Sequence, residues 1–493
     1  MDEIVDVAII GSGVGGLTTA ALLARRGLKV AVYEQHYVPG GSASHFNRKG
    51  YCFDVGASLL YTLGKTGKAN FLHKILAEID EPVTSILDPI QIHYHLPNAW
   101  QVRAHYDRER FLTELTTLFP KEKDAIRKFY DKLANIFAMM DSLDYISLED
   151  PSAGMRFTFQ RPFSAIKLAV NSFKDLGTLA RKTFQDPLLL RFIDLECYSW
   201  ALVGAKETPL INASIVIADR HVGGVRYPVG GVNQIPYALV RGIEKFGGKV
   251  YCRQKVTKII CENSKAVGLE FKNGEQIKAR VIVSNATAWN TAEMLTDENV
   301  AKNLLKPYKK FPASRSFFSL FCGVPTSAIP SDYSTHHIIL EDWEEMEKDG
   351  GTVYLSIPSI LDSSIAPSDC HNVHAFTVHS FINGKRDKDY KEWKEKAAAK
   401  LLERLPLKSP PHFYIAASPL TNERYLARKE GSYGPLFTNG KDLLFKPKNL
   451  TPLKNLYCAG DSCFPGQGVS AVAASGVSCA MLIAKEFKIK WNQ

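Results

Sequence analysis

Residues 5–35, VDVAIIGSGVGGLTTAALLARRGLKVAVYEQ, restrict the fold of this chain more than any other stretch. VDVAII is a β-branched run suited to a buried parallel strand. It leads straight into Gly11-Ser12-Gly13-Val14-Gly15-Gly16. In such a turn Gly11 permits the tight bend, Gly13 lets the backbone approach a pyrophosphate, and Gly16 allows close helix–strand packing. LTTAALLARRG predicts a helix whose N-terminal amides face that anion. The second strand, KVAVYE, ends at Glu34, where a carboxylate binds adenosine ribose hydroxyls. Glycine turns alone arise for steric reasons. Strand, glycines, helix, strand and terminal acid in register define a βαβ dinucleotide site, and with it an α/β, Rossmann-like domain.

A chain of 493 residues exceeds one simple core, so a second domain is expected. Apolar residues at 45% and charged residues at 23% are globular values. The net charge of +10 admits nucleic acid, anionic lipid or an acidic ligand. No basic run with interleaved aromatics supports nucleic acid. The nine cysteines are odd in number and scattered, which argues for a reducing compartment without a disulfide framework. No CxxC pair occurs, and no metal site is expected. The first strand begins at Ile4, so no signal or transit peptide is expected within this sequence. The apolar stretch 468–484 is rich in Ala, Ser, Gly and Val and predicts a buried helix rather than a membrane span.

HYVPGGSASHF follows Glu34 and carries Gly40-Gly41-Ser42, a second glycine turn within reach of a diphosphate. Near the other end, LYCAGDSCFPGQGVSAVAASG (456–476) joins a strand through a Gly-Asp turn to a small-residue helix. Together these stretches resemble the flavoprotein amine oxidase and phytoene desaturase superfamily, in which ExxxxxGG follows the fingerprint and the cofactor is FAD. The resemblance implies further roles. YCFDVGASLL (51–60) is the strand-turn beside the flavin, with Asp54, Gly56 and Ala57. The backbone of Val256 meets the adenine, and Asn285-Ala286 ends the strand below the cofactor. Gly460 allows close approach, and Asp461 binds the diphosphate or ribityl region. Gly468-Val469 present amides near the flavin N1–C2 carbonyl, where negative charge collects on reduction. No second GxGxxG follows a strand, so any reductant, an NAD(P)-linked donor included, comes from outside.

Between the two ends, helical periodicity dominates residues 70–225, interrupted by the strand-like QIHYHLPNAWQVRAHY. RPFSAIKLAVNSFKDLGTLARKTF (161–184) is amphipathic and basic, which fits either an anionic membrane surface or a solvated helix. KNGE predicts a hairpin between AVGLEF and IKARVIVS. Residues 311–325, 351–358 and 373–382 predict strands of an antiparallel sheet. The expected organisation is a discontinuous FAD-binding domain (1–70, 226–295 and 451–493) with an inserted α+β substrate-binding, membrane-associating domain (71–225 and 296–450).

QDPLLLRFIDLECYSW, TPLINASIVIADRHVGGVRYPVGGV and YLSIPSILDSSIAP narrow the resemblance to the carotenoid isomerases, over essentially the full chain. That family converts poly-cis-lycopene (prolycopene) to all-trans-lycopene with reduced FAD and no net redox. The resemblance implies a long apolar polyene as substrate. It also implies peripheral attachment to the cytoplasmic face of a membrane, thylakoid or plasma membrane in a cyanobacterium, or a plastid address. A carotenoid desaturase or retinol saturase, and a non-catalytic carotenoid carrier, are the alternatives. Candidate acid–base residues lie in the middle motifs: Glu196 first, then Asp194, Asp219, Arg220 and His221. A carboxylate desolvated by an apolar tunnel acquires a raised pKa and donates a proton. Asp219 and Arg220 equally fit a structural ion pair, and His221 a turn cap.

Overall fold

The structure, a computed structural model, describes residues 4–56, 58–66, 70–141, 151–380, 388–431, 433–436 and 446–491. Its strands are β1 (Val5–Ile10), β2 (Val30–Tyr33), β3 (His45–Arg48), β4 (Tyr51–Asp54), β5 (Ser85–Leu87), β6 (Ile90–Leu96), β7 (Trp100–His105), β8 (Arg226–Pro228) and β9 (Lys249–Tyr251). They continue as β10 (Val256–Glu262), β11 (Lys265–Phe271), β12 (Gln276–Ser284), β13 (Ser316–Pro325), β14 (His336–Ile339), β15 (Val353–Ser356), β16 (Cys370–His379), β17 (Phe413–Ala417) and β18 (Leu456–Cys458).

The β-branched N-terminal run lies at the centre of a sheet of order β10-β11-β12-β1-β2-β9, with β18 on the far side of β12. β1 pairs in parallel with both β2 and β12, and β12 with β18. Val7, Ala8 and Ile9 are fully buried because helices cover the sheet. The helix Val14–Arg25 follows β1, and Val469–Glu486 lies along it. Val469–Glu486 is long and apolar enough to cross a membrane, yet its inner face is core: Ala473, Cys479, Ala480 and Ile483 are fully buried. A Cβ on Gly476 would stand 2.4 Å from the Gly15 carbonyl oxygen, so small residues let these helices touch.

The second sheet has the order β17-β13-β16-β15-β14-β6-β7. β13, β15 and β16 occupy the three stretches expected for an antiparallel sheet, β6 and β7 the strand-like run before them, and β14 and β17 fall outside every expected strand; β14 and β6 run parallel. β6 and β14 lie far apart in the chain, so no hairpin dictates their direction. Helices that follow β7 in sequence cover the β6–β7 end. The chain around 226 does not return directly to the first sheet. β8 pairs antiparallel with β5, so a two-stranded ribbon spans the expected domain boundary. The stretch 161–184 divides into two helices, Pro162–Ser172 and Leu176–Thr183, the second capped by Asp175.

Candidate cofactor cavity and active site

A cavity of about 970 Å³ opens where the glycine turn, the second glycine turn, the C-terminal turn and β13 meet. Of the residues expected at the cofactor, Gly11, Gly13, Val14, Gly15, Glu34, Gly40, Gly41, Ser42, Val256, Asn285, Gly460, Asp461, Gly468 and Val469 line it. Ser12, Gly16 and Gly56 stand behind that wall. Ala57 lies outside the described residues. The N-terminal and C-terminal turns, far apart in sequence, thus line one volume, and a backbone bridge between Gly13 and Gly40 joins the first glycine turn to the second.

The glycines answer to a protein group as well as to a ligand. A Cβ on Gly13 would sit 2.4 Å from Asn285 Nδ2. Gly15, Gly16 and Gly460 also close on Asn285, whose Oδ1 accepts the Gly16 amide at 2.8 Å. Asn285, expected at the end of the strand below the cofactor, is therefore the peg on which the Gly11–Gly16 turn and Gly460 of the C-terminal turn close. Glu34 sits at the opposite end, buried, accepting the Ser12 amide and hydroxyl at 2.8 and 2.7 Å and the His36 amide at 2.8 Å. Tyr33 beside it stacks on Tyr251, and burial followed by that neighbour pushes its phenol up to about 12.

Two helices that start on the cavity have a glycine at the N-cap and so no cap from that residue: Gly13 precedes Val14–Arg25 and Gly468 precedes Val469–Glu486. In the first, Asn285 Oδ1 takes the Gly16 amide; first-turn amides without such a partner need an external acceptor and attract anions. Gly468 holds φ +99°, and a Cβ there would meet nothing within 4 Å, so the cavity side of this turn is open. Ser42 Oγ is buried without a protein partner. Two helix starts with glycine at the N-cap, an acid at one end and an orphaned hydroxyl fit a dinucleotide diphosphate.

Asp461 has a partner that the sequence reading missed. Arg428 donates to its carboxylate, and both line the cavity. Gly434 sits close behind, since a Cβ there would be 2.9 Å from Asp461 Cγ. The signal was the turn-rich run around Arg428, Gly431 and Gly434, which no motif flagged. Asp54, placed beside the flavin by resemblance, instead accepts Tyr227 Oη and the Val232 amide at 2.7 and 3.0 Å, away from the cavity lining. Burial lifts its carboxyl to about 6 against those hydrogen bonds.

The five acid–base candidates are not on the cavity wall either. Glu196 and Arg220, weighed as separate candidates, are each other's partners: Arg220 Nη1 donates to Glu196 Oε1 at 2.7 Å, and both side chains are buried. Tyr130 Oη donates to Glu196 Oε2 at 2.7 Å, and the guanidinium lies over the Phe111 ring at 4.3 Å. Arg220 Nε donates to His221 Nε2 at 3.2 Å, so Nδ1–H of His221 faces the Tyr106 carbonyl at 3.0 Å. Burial and the Arg220 charge drive His221 down to about 3. Asp219 receives the Thr62 and Gly223 amides, and Asp194 pairs with Arg181 and receives the Ala205 amide. Each carboxylate oxygen of Glu196, Asp194 and Asp219 already accepts a hydrogen bond, while Arg220 Nη2 is buried without a partner. The reading of Glu196 as a desolvated acid gives way to a neutralised pair, because its counter-charge lies one motif further along the chain.

A family model described as flavin containing amine oxidoreductase matches residues 14–484. The chain belongs to that family, and flavin, as FAD, is its cofactor. Prolycopene isomerase 1, chloroplastic, of an Oncidium hybrid cultivar is 42% identical over 98% of this chain and 84% of its own length. Prolycopene isomerase, chloroplastic, of Arabidopsis thaliana is 41% identical over 99% and 84%. Within the flavoprotein family the chain therefore belongs with the prolycopene isomerases. An oxidoreductase from Methanosarcina mazei shares the fold at a TM-score of 0.66 and 19% identity, over 98% of this chain and all of that one.

Proposed function

We propose that this chain is an FAD-dependent carotenoid cis–trans isomerase that converts poly-cis-lycopene to all-trans-lycopene without net redox. The observation that carries the proposal is the match to prolycopene isomerases across nearly the whole length. The cavity is consistent with it. Gly13, Gly41 and Ser42 would hold the diphosphate, Glu34 the ribose, and the amides that open Val469–Glu486 the flavin ring. Bound reduced FAD would supply an electron-rich surface that stabilises charge developing on the polyene as a double bond loses order.

The protein's part is to shape and dry that surface. Phe321 of β13, with Ile415 and Ala417 of β17, faces the glycine turns across the cavity. Apolar walls suit a substrate with no polar handle. The uncapped amides at Val469 stabilise negative charge where it accumulates and need no reorganisation to do so. Proton transfer is not assigned to Glu196, whose carboxylate is held by Arg220 and Tyr130.

Delivery of a membrane-resident polyene needs a membrane-facing surface. Met155, Phe159, Phe163, Ile166, Val170 and Phe173 are all exposed, Phe159 and Phe163 at 86% and 81%. Arg161, Lys167 and Lys174 border them. Exposed apolar side chains on two consecutive helices, with cations between them in sequence, suit peripheral insertion into an anionic leaflet. The cytoplasmic face of a thylakoid or plasma membrane, or its plastid equivalent, provides one. Flotation with vesicles containing anionic lipid is expected to carry the wild type upward and to leave Phe159→Ser/Phe163→Ser behind at equal flavin content. Equal flotation of both would reject these side chains as the contact.

Isomerisation itself is tested with pure, photoreduced protein incubated anaerobically in the dark with poly-cis-lycopene. All-trans-lycopene of unchanged mass, in many-fold excess over flavin, is the expected product. A mass change of two hydrogens would reassign the chain to a desaturase or saturase. A flavin-free protein that binds carotenoid unchanged would make it a carrier.

A further inference from the structure

β6 and β14 are the one parallel pair in the second sheet, and they carry a group of histidines apart from the cofactor cavity. His93 and His95 are two residues apart on β6 and so point to the same face. His337 on β14 lies beside His93 in register. One ring nitrogen from each lies within 4.8 Å of the others, and His95 Nε2 is 2.9 Å from His337 Nδ1. Around a tetrahedral ion with bonds of about 2.0–2.1 Å, ligand nitrogens stand roughly 3.3 Å apart. The cluster is already near that spacing.

Hydrogen bonds behind the rings fix which nitrogens carry lone pairs. His337 Nε2 faces the Ser334 carbonyl at 2.9 Å, so Nε2 carries the proton and Nδ1 the lone pair, which accepts from His95 Nε2 until an ion replaces that proton. His93 Nε2 faces Gln101 Oε1 at 3.0 Å, which protonates Nε2 and leaves Nδ1 as a buried lone pair without a protein partner. Metal-bound histidines have this arrangement, with the distal N–H donated to a carbonyl. Tyr333 stacks on the His337 ring at 4.3 Å and holds its plane. His336, next in sequence, faces away toward Ser58 and Asp88 and is not part of the group.

We propose that His93, His95 and His337 bind one borderline divalent cation, with Zn²⁺ as the reference ion, and that the ion fastens β6 to β14. Three imidazoles with no carboxylate select for Zn²⁺-like ions over Mg²⁺ or Ca²⁺, which require oxygen ligands. His95 is the half-exposed member, so water completes the fourth position from that side. No cysteine motif marks the site. It arises from two strands that meet only in the folded sheet, which is why sequence spacing alone predicted no metal.

The test uses untagged, full-length, flavin-loaded protein, treated with chelator, incubated with excess ZnCl₂ and desalted. About one zinc per chain is expected by elemental analysis, and at least about tenfold less for His95→Ala and His93→Gln at unchanged flavin content. His95 is partly exposed, so its variant keeps the test usable if His93→Gln fails to fold. Zinc is also expected to raise the unfolding temperature of the wild type and not that of His95→Ala. Zinc below about a tenth per wild-type chain, equal retention by His95→Ala, or an unfolding temperature indifferent to zinc would overturn the proposal.

Discussion

The cofactor cavity and the Glu196–Arg220 cluster are both rich in polar groups, and they differ in what those groups have left to give. At the cavity, two helices begin at a glycine N-cap and Ser42 Oγ lacks a partner. At the cluster, Glu196 accepts from Arg220 and Tyr130, and His221 is held between Arg220 and the Tyr106 carbonyl. Unfilled valence marks a place for a ligand. At the cluster both Glu196 carboxylate oxygens are filled, which marks a fastening inside the core, and the open valence there is the buried Arg220 Nη2. A buried charge is equally prominent in both, so charge by itself does not separate chemistry from architecture.

That contrast is open to attack at several points. The largest effect is expected from Gly13→Val, which places a Cβ about as close as 2.4 Å to Asn285 Nδ2 and forces the turn open. Flavin content should fall below about a tenth of wild type, read from visible absorbance per chain. Stoichiometric flavin in that variant would remove the fingerprint from the site. Next is Glu196→Gln, which leaves the Arg220 charge buried without its counter-ion. A stability loss of about 3–5 kcal/mol is expected in denaturant unfolding, with turnover per flavin-loaded molecule within about twofold of wild type. A hundredfold turnover loss at unchanged stability would return Glu196 to the catalytic set.

Arg428→Met tests the cavity side more gently. Without its cation, Asp461 turns an unbalanced carboxylate toward the diphosphate region, and flavin retention should weaken roughly tenfold. The smallest effect is a pH dependence. His221 protonates near 6.5 when unfolded but only near 3 when folded, because burial and Arg220 oppose its charge. Between those values the unfolded chain binds more protons, so stability falls as pH falls through the window, by up to about 1.4 kcal/mol per unit. His221→Asn should flatten that slope in denaturant titrations from neutral pH toward pH 4.

The parts legible from sequence were those written in local pattern. Strand, glycines, helix and Glu34 lie within one short stretch, and each has a backbone reason to be there. The C-terminal turn was legible for the same reason. Partnerships across the chain were not. Asn285 as the peg of the Gly11–Gly16 turn and of Gly460, Arg428 on Asp461, and Glu196 with Arg220 depend on which segments fold together. The parallel β14–β6 junction belongs with these, since no turn joins the two strands and no periodicity records their direction. The exposed apolar side chains were half visible: 161–184 showed the basic amphipathic segment, whereas the exposure of Met155 and Phe159 shows only once the helices are placed.

The central claim is that chemistry belongs to the cavity and leaves the oxidation state of the system unchanged. It is tested most directly by following flavin absorbance in a dark, anaerobic cuvette while all-trans-lycopene forms from poly-cis-lycopene. The flavin is expected to stay bleached through many turnovers, in wild type and Glu196→Gln alike. Return of the oxidised flavin spectrum in step with the first equivalent of product would contradict the account.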